Sequence, residues 1–229
     1  MSDLKLVLIL YCAFLSVALV DLISAVIAAK VCFVGVTEAG LFRSIKLIIL
    51  NLQGTQIKLG LIPFPSSYIQ FQVKEPGLPA ETKVFTSLPV LLKILITLSG
   101  VILNIAIASC ILGFQPAINS SLRGMIQLLT ILVNRDLGFY YLQQGLMLEQ
   151  ISTMQAWALL TTKVVSLNLL PIPGLYGGFI LITGWKLCTG KSIPPDKLGE
   201  LTLLSLVIIL AMFLYTWGEV ILRLITRSA

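Results

Sequence analysis

The chain has 229 residues, 57% of them hydrophobic and only 11% charged, with a mean hydropathy of +0.99. That balance excludes an ordinary water-soluble domain, in which about half the residues are apolar and about a quarter charged. The net charge of +6 comes with no basic helix interleaved with aromatic side chains, so nucleic acid is not an implied partner.

Aromatic residues make up 8%, so the apolar excess is aliphatic, as in helices that face hydrocarbon. A span takes about 20 mostly apolar residues. The first candidate runs over about 4–33 and is read as a retained helix rather than a signal peptide, because it has no basic leader and no small-residue cleavage site. Residues 35–75 alternate and are punctuated by glycine: Val34-Gly35-Val36, Ile45 to Leu50, Gln56 to Gly60 and Tyr68 to Val73, broken by Pro63, Pro65 and Pro76, with Pro79 just beyond. This pattern predicts strands and hairpin turns, tucked against or re-entrant into a helical bundle. A second span is expected over about 85–114. An interfacial loop with a short helix follows over 115–152, suggested by Met125 to Leu129 and by Tyr140 to Leu142. The third span, about 154–188, is broken by Pro171 and Pro173, and a fourth covers about 201–225. The expectation is a mainly α, polytopic membrane protein forming one domain over 1–229, with about four transmembrane helices.

Lys and Arg at the span ends and in the connections divide unevenly. Lys30, Arg43, Lys46, Lys58, Lys74, Lys83, Lys186, Lys191 and Lys197 fall on one face, against Lys5, Arg123, Arg135, Arg223 and Arg227 on the other. The positive-inside rule places the first group in the cytoplasm and both termini outside it, in a bacterial-type inner membrane where anionic lipid is a natural neighbour.

Three constellations carry chemical information. One runs from Val20-Asp21-Leu22 through Ala25 to Lys30, with Glu38 and Gly40 beyond it. The second is Ser99-Gly100-Val101 followed by Asn104. The third is Asn168-Leu169-Leu170-Pro171-Ile172-Pro173-Gly174-Leu175-Tyr176-Gly177-Gly178. Prolines that break a membrane helix beside paired glycines are tolerated only where backbone lines a cavity or is buried in protein. In order and separation, across nearly the whole chain, these segments resemble the site-2 protease family of intramembrane zinc metalloproteases. The family's third motif, Asn-x-x-Pro-x-Pro-x-Leu-Asp-Gly-Gly, is matched at Asn168, Pro171, Pro173, Leu175, Gly177 and Gly178. The second, a small residue then Gly-Pro-x-x-Asn, is matched at Ser99, Gly100 and Asn104, with Val101 in place of proline.

The resemblance fails where its chemistry lies. The family's first helix carries His-Glu-x-x-His, two imidazoles one turn apart that bind zinc and a glutamate that acts as general base. Those positions are Asp21, Leu22 and Ala25 here, and the third ligand position, an aspartate in the family, is Tyr176. The chain contains no histidine. Cys12, Cys32, Cys110 and Cys188 lack Cys-x-x-Cys spacing and read as packing residues; a Cys12–Cys110 disulfide stays open. No metal and no other cofactor are expected. A serine nucleophile would have only Lys163 or a lone carboxylate as base for Ser166 or Ser99, and intramembrane hydroxyls usually bond helix backbone.

A carboxyl within a span costs about 2.5–3.5 kcal/mol on insertion scales, so Asp21 calls for a reason. Two remain open: it faces a vacated metal cavity and pairs with Lys163, Tyr176 or Asn168, or it is a protonated, hydrogen-bonded structural group. The resemblance implies a groove bordered by Tyr68, Gly100, Asn104, Asn168, Pro171, Pro173, Gly177 and Gly178, in which another integral membrane protein's extended or transmembrane segment is held without being cut. The expected role is a non-catalytic scaffold, assembly factor or regulatory subunit of a membrane complex. The alternatives are an active protease with unorthodox metal ligands and a small transporter, the latter disfavoured by the lack of repeated halves.

Overall fold

A computed structural model describes residues 3–41, 46–52, 54–60, 67–72, 83–133, 151–191, 193–194, 196–205, 207–208 and 211. Helices dominate, with one small mixed sheet. Helix α1 (Asp3–Val31) is followed by strands β1 (Val36–Leu41), β2 (Lys46–Leu52), β3 (Thr55–Gly60) and β4 (Ser67–Phe71). Then come α2 (Val90–Leu112), α3 (Phe114–Val133), α4 (Thr153–Asn168), α5 (Tyr176–Thr189) and a helical stretch, α6, over 196–205. Two helical stretches, Tyr11–Val31 and Val90–Leu112, are long and apolar enough to cross a bilayer. The fourth expected span lies mostly outside the described residues, as do Tyr140 to Leu142 and the prolines at 63, 65, 76 and 79.

The strands fall where alternation and glycine place them, but their order is not a simple run of hairpins. The sheet reads β2-β3-β1-β4, with β1 parallel to β3 and antiparallel to β4, so β2 and β4 form its edges. It sits on the end of α1: Val34, Val36, Ala39 and Leu41 pack with Leu22 and Ala29 of α1 and Ile96 of α2. On β2, Ile48, Ile49 and Leu50 are all about half exposed, so apolar side chains emerge from both faces of this edge.

Helix directions follow from paired residues. Gly100 lies against Asp21 and Asn104, one turn later, reaches back to Val17, so α2 runs antiparallel to α1. Trp157 bonds Ser16 and Asn168 bonds Asp21, so α4 runs alongside α1 in the same direction. At Gly113, whose φ of 88° favours glycine, the chain turns back into α3. Ala117 packs with Ala158, Ser120 bonds Thr162, and Ser166 donates to Ser121 O at 2.6 Å, so α3 runs parallel to α4. Within the segment expected as an interfacial loop, residues 114–133 thus form a helix against the bundle, and Arg123 is an exposed residue of that helix rather than of a connection.

The break expected at Pro171 and Pro173 is present. Ser152 and Gln155 form a capping box that starts α4. Pro171, without an N–H, and Pro173 end the helical hydrogen bonding, and the chain recovers it at Tyr176. A side chain at Gly177 would overlap the carbonyls of Leu169 and Leu170, and one at Gly178 that of Ile172. These clashes are with backbone and cannot be relieved by a rotamer change. Gly178→Val is therefore expected to lower stability by about 1–3 kcal/mol and to open 169–175 to protease, measured by thermal unfolding and limited proteolysis in detergent; unchanged melting would contradict the close turn.

Candidate functional site

The site is built around Asp21, midway along the apolar stretch Tyr11–Val31 and only 1% exposed. Its Oδ1 accepts from Asn104 Nδ2 at 2.9 Å and its Oδ2 from Asn168 Nδ2 at 3.3 Å. Asn104 also donates to Gly100 O at 3.0 Å, and Ser24 Oγ donates to the backbone oxygen of Asp21 at 3.1 Å. Gly100 faces Asp21 directly, and any side chain there would collide with the carboxylate and with α1 backbone. The phenol of Tyr176 lies beside the same carboxyl and near Ser67 on β4. One carboxyl thus joins α1, α2, α4 and the start of α5, and Tyr176 links that junction to the sheet.

The positions singled out in the sequence separate into three groups. Asp21, Gly100, Asn104, Asn168 and Tyr176 form the junction. Pro171, Pro173, Gly177 and Gly178 build the turn below it. Leu22 is core, while Ala25 and Tyr68 border a cavity of about 370 Å³ between β4, the 174–176 turn, α5 and α6. Of the partners anticipated for Asp21, Asn168 and Tyr176 are correct and Lys163 is not. Lys163 lies five residues before Asn168, about 140° around the helix, and donates to Ser120 O and Gln127 Oε1 on α3. Asn104, with which Asp21 makes its shorter bond, was assigned to the groove instead.

On the sheet, Tyr68 OH donates to Glu38 Oε1 at 2.6 Å, its ring lies over Gly40, where a side chain would collide with it, and Lys58 ion-pairs with Glu38. Phe71 stacks on Phe85 with ring centroids 4.1 Å apart, and Phe85 meets Phe179 at 6.3 Å. These aromatic walls, with Ser67, are cavity residues that the sequence did not single out. Tyr68 and Phe71 sit in a strand pattern that was visible, but what faces them comes from 14 to over 100 residues later.

A zinc ion does not fit the junction. It would need about three imidazole, thiolate or carboxylate ligands, whereas Asp21 is met by two amide N–H groups and a phenol. Among the described residues, no three of Cys, Asp and Glu gather within reach of one ion. The two serines considered as nucleophiles donate to backbone: Ser166 to Thr162 O and Ser121 O, Ser99 to Ile96 O. All four cysteines are free.

Comparison with models of protein families, with curated proteins and with solved structures finds no match.

Removing the Asp21 carboxyl strands two buried amides. Asp21→Ala is expected to cost about 2–4 kcal/mol, read as a fall in melting temperature of the purified chain. Asp21→Asn, which keeps the shape and one acceptor oxygen, is expected to lose about half as much. Equal melting of Asp21→Ala and wild type would show that the junction does not hold the helices together.

Proposed function

We propose that this chain is a site-2-protease-like membrane protein of about four spans, with both termini on the non-cytoplasmic side, that has lost its catalytic centre and binds an extended or transmembrane segment of another integral membrane protein. The observation that carries the reading is the junction itself. The residues that match the family's second and third motifs, Gly100, Asn104 and Asn168, meet Asp21 from the first, and at that point a hydrogen-bonded carboxyl and Tyr176 stand where the family holds metal. A chain with no histidine that closes this position with internal hydrogen bonds has no means of activating water there.

What the fold retains is a place to bind. Strand β4 is paired with β1 on one side only among the described residues, and its other edge adjoins the cavity between Tyr68, Phe179 and the 174–176 turn. An extended segment can add to such an edge through backbone hydrogen bonds while one of its side chains enters the cavity. The aromatic walls favour an apolar or aromatic side chain. The doubly apolar edge β2 suits a sheet that lies in or against the bilayer rather than in water. Holding a segment without cutting it is the work of a scaffold, assembly factor or regulatory subunit.

A photo-crosslinking phenylalanine analogue placed at Tyr68 or Phe179 in native membranes is expected to join one membrane protein through a segment that includes an extended stretch. The same group at Trp185, exposed on α5, is expected to yield no such product. Lipid adducts alone at all three positions would overturn the proposal.

A further inference from the structure

A second contact is encoded on α3. Helix α4 passes Asp21 at Asn168, and α3 lies parallel to α4 with Ser121 level with Ser166. Arg123 is two residues past Ser121, as Asn168 is two past Ser166, so Arg123 lies level with Asp21, the midpoint of the apolar stretch Tyr11–Val31. Its side chain is exposed, and Lys163 is close enough on α4 for the two cations to repel. Lys163 has neutral acceptors on α3, Ser120 O and Gln127 Oε1. Among the described residues the only carboxylate in an ion pair is Glu38, with Lys58 on the sheet.

Two cations at that depth are costly for a bilayer, and each calls for a counter-charge. Headgroup phosphates lie about 15 Å away in either direction, beyond comfortable reach of an arginine. Around Arg123 the helix presents Leu122, Ile126 and Leu129, which are 52%, 59% and 39% exposed and spaced as one helical stripe. A cation set beside an unpartnered apolar stripe is complementary to another helix that carries an acid.

We propose that the outer face of α3, with Arg123 and Lys163 at mid-membrane depth, docks a partner's transmembrane helix that bears an aspartate or glutamate at the same depth. The inference rests on the membrane reading proposed above, to which it adds α3 as a further membrane-embedded helix beside the four spans, but not on the cavity beside β4; it adds a chemical criterion for the partner: an acidic residue near the centre of a span.

The test uses the full chain in phosphatidylcholine vesicles with Leu-rich transmembrane peptides carrying a central Asp, Leu or Lys and a dansyl acceptor, binding being read by energy transfer from the chain's own tryptophans. The Asp peptide is expected to bind about tenfold more tightly than the Leu peptide, the Lys peptide no better than Leu, and Arg123→Ala is expected to remove the preference. Because Arg123 is exposed, Arg123→Ala should melt as wild type does. Depth is measured separately, by quenching of the added indole in Ile126→Trp by lipids brominated at mid-chain. Quenching without Asp preference would overturn the pairing alone, whereas no quenching would overturn the membrane placement of α3 and the pairing with it. Loss of the preference when phosphatidylglycerol is added would identify lipid phosphate as the counter-ion and would also overturn the proposal.

Discussion

A single buried carboxyl organises this molecule. Asp21 would be costly in an apolar helix, and its environment offsets that cost with amide donors from α2 and α4 and a phenol from the start of α5. The network requires Gly100, because only a bare Cα lets α2 approach α1 closely enough for Asn104 to reach the carboxylate. It also requires the broken helix, because the turn over 169–175 brings Tyr176 back to the level of Asn168. The junction thus ties together α1, α2 and α4, while the sheet is held on α1 and α2 by Val34, Val36, Ala39 and Leu41.

The consequence for function is a division of labour between two neighbouring places. At the junction each oxygen of Asp21 accepts an amide hydrogen bond, and Ser99 and Ser166 donate to backbone. The cavity beyond Tyr176 is open to β4 and lined by aromatic rings. Tyr176 belongs to both, touching Asp21 on one side and bordering the cavity on the other.

Much of the architecture was legible in one dimension. The apolar runs marked α1 and α2, glycine and alternation marked β2, β3 and β4 but only the first residue of β1, and Pro171 and Pro173 marked the break, because each of these signals acts locally on backbone geometry. Long-range pairing was less visible. The parallel neighbours β1 and β3 enclose β2 in the chain between them, and nothing in their sequences announces that. Residues 115–152 read as an interfacial loop with a short helix because the apolar groups Met125 to Leu129 and Tyr140 to Leu142 are short. In the fold, 114–133 is one helix against α4: the Ser120 hydroxyl meets that of Thr162, and the backbone oxygens of Ser120 and Ser121 accept from Lys163 and Ser166. Asn104 was noticed as a motif residue, but its role as a partner of Asp21, 83 residues away, required coordinates.

The central claim is that hydrogen bonds have replaced the metal and that binding has outlived catalysis. It is tested most directly by purifying the full chain from its own membranes in mild detergent, with metal content and the stoichiometry of co-purifying proteins measured on the same sample. The account predicts no zinc above trace level and one integral membrane protein in fixed ratio. Zinc bound in a one-to-one ratio, with no partner, would contradict it and would return the chain to the enzymes with an unorthodox set of ligands.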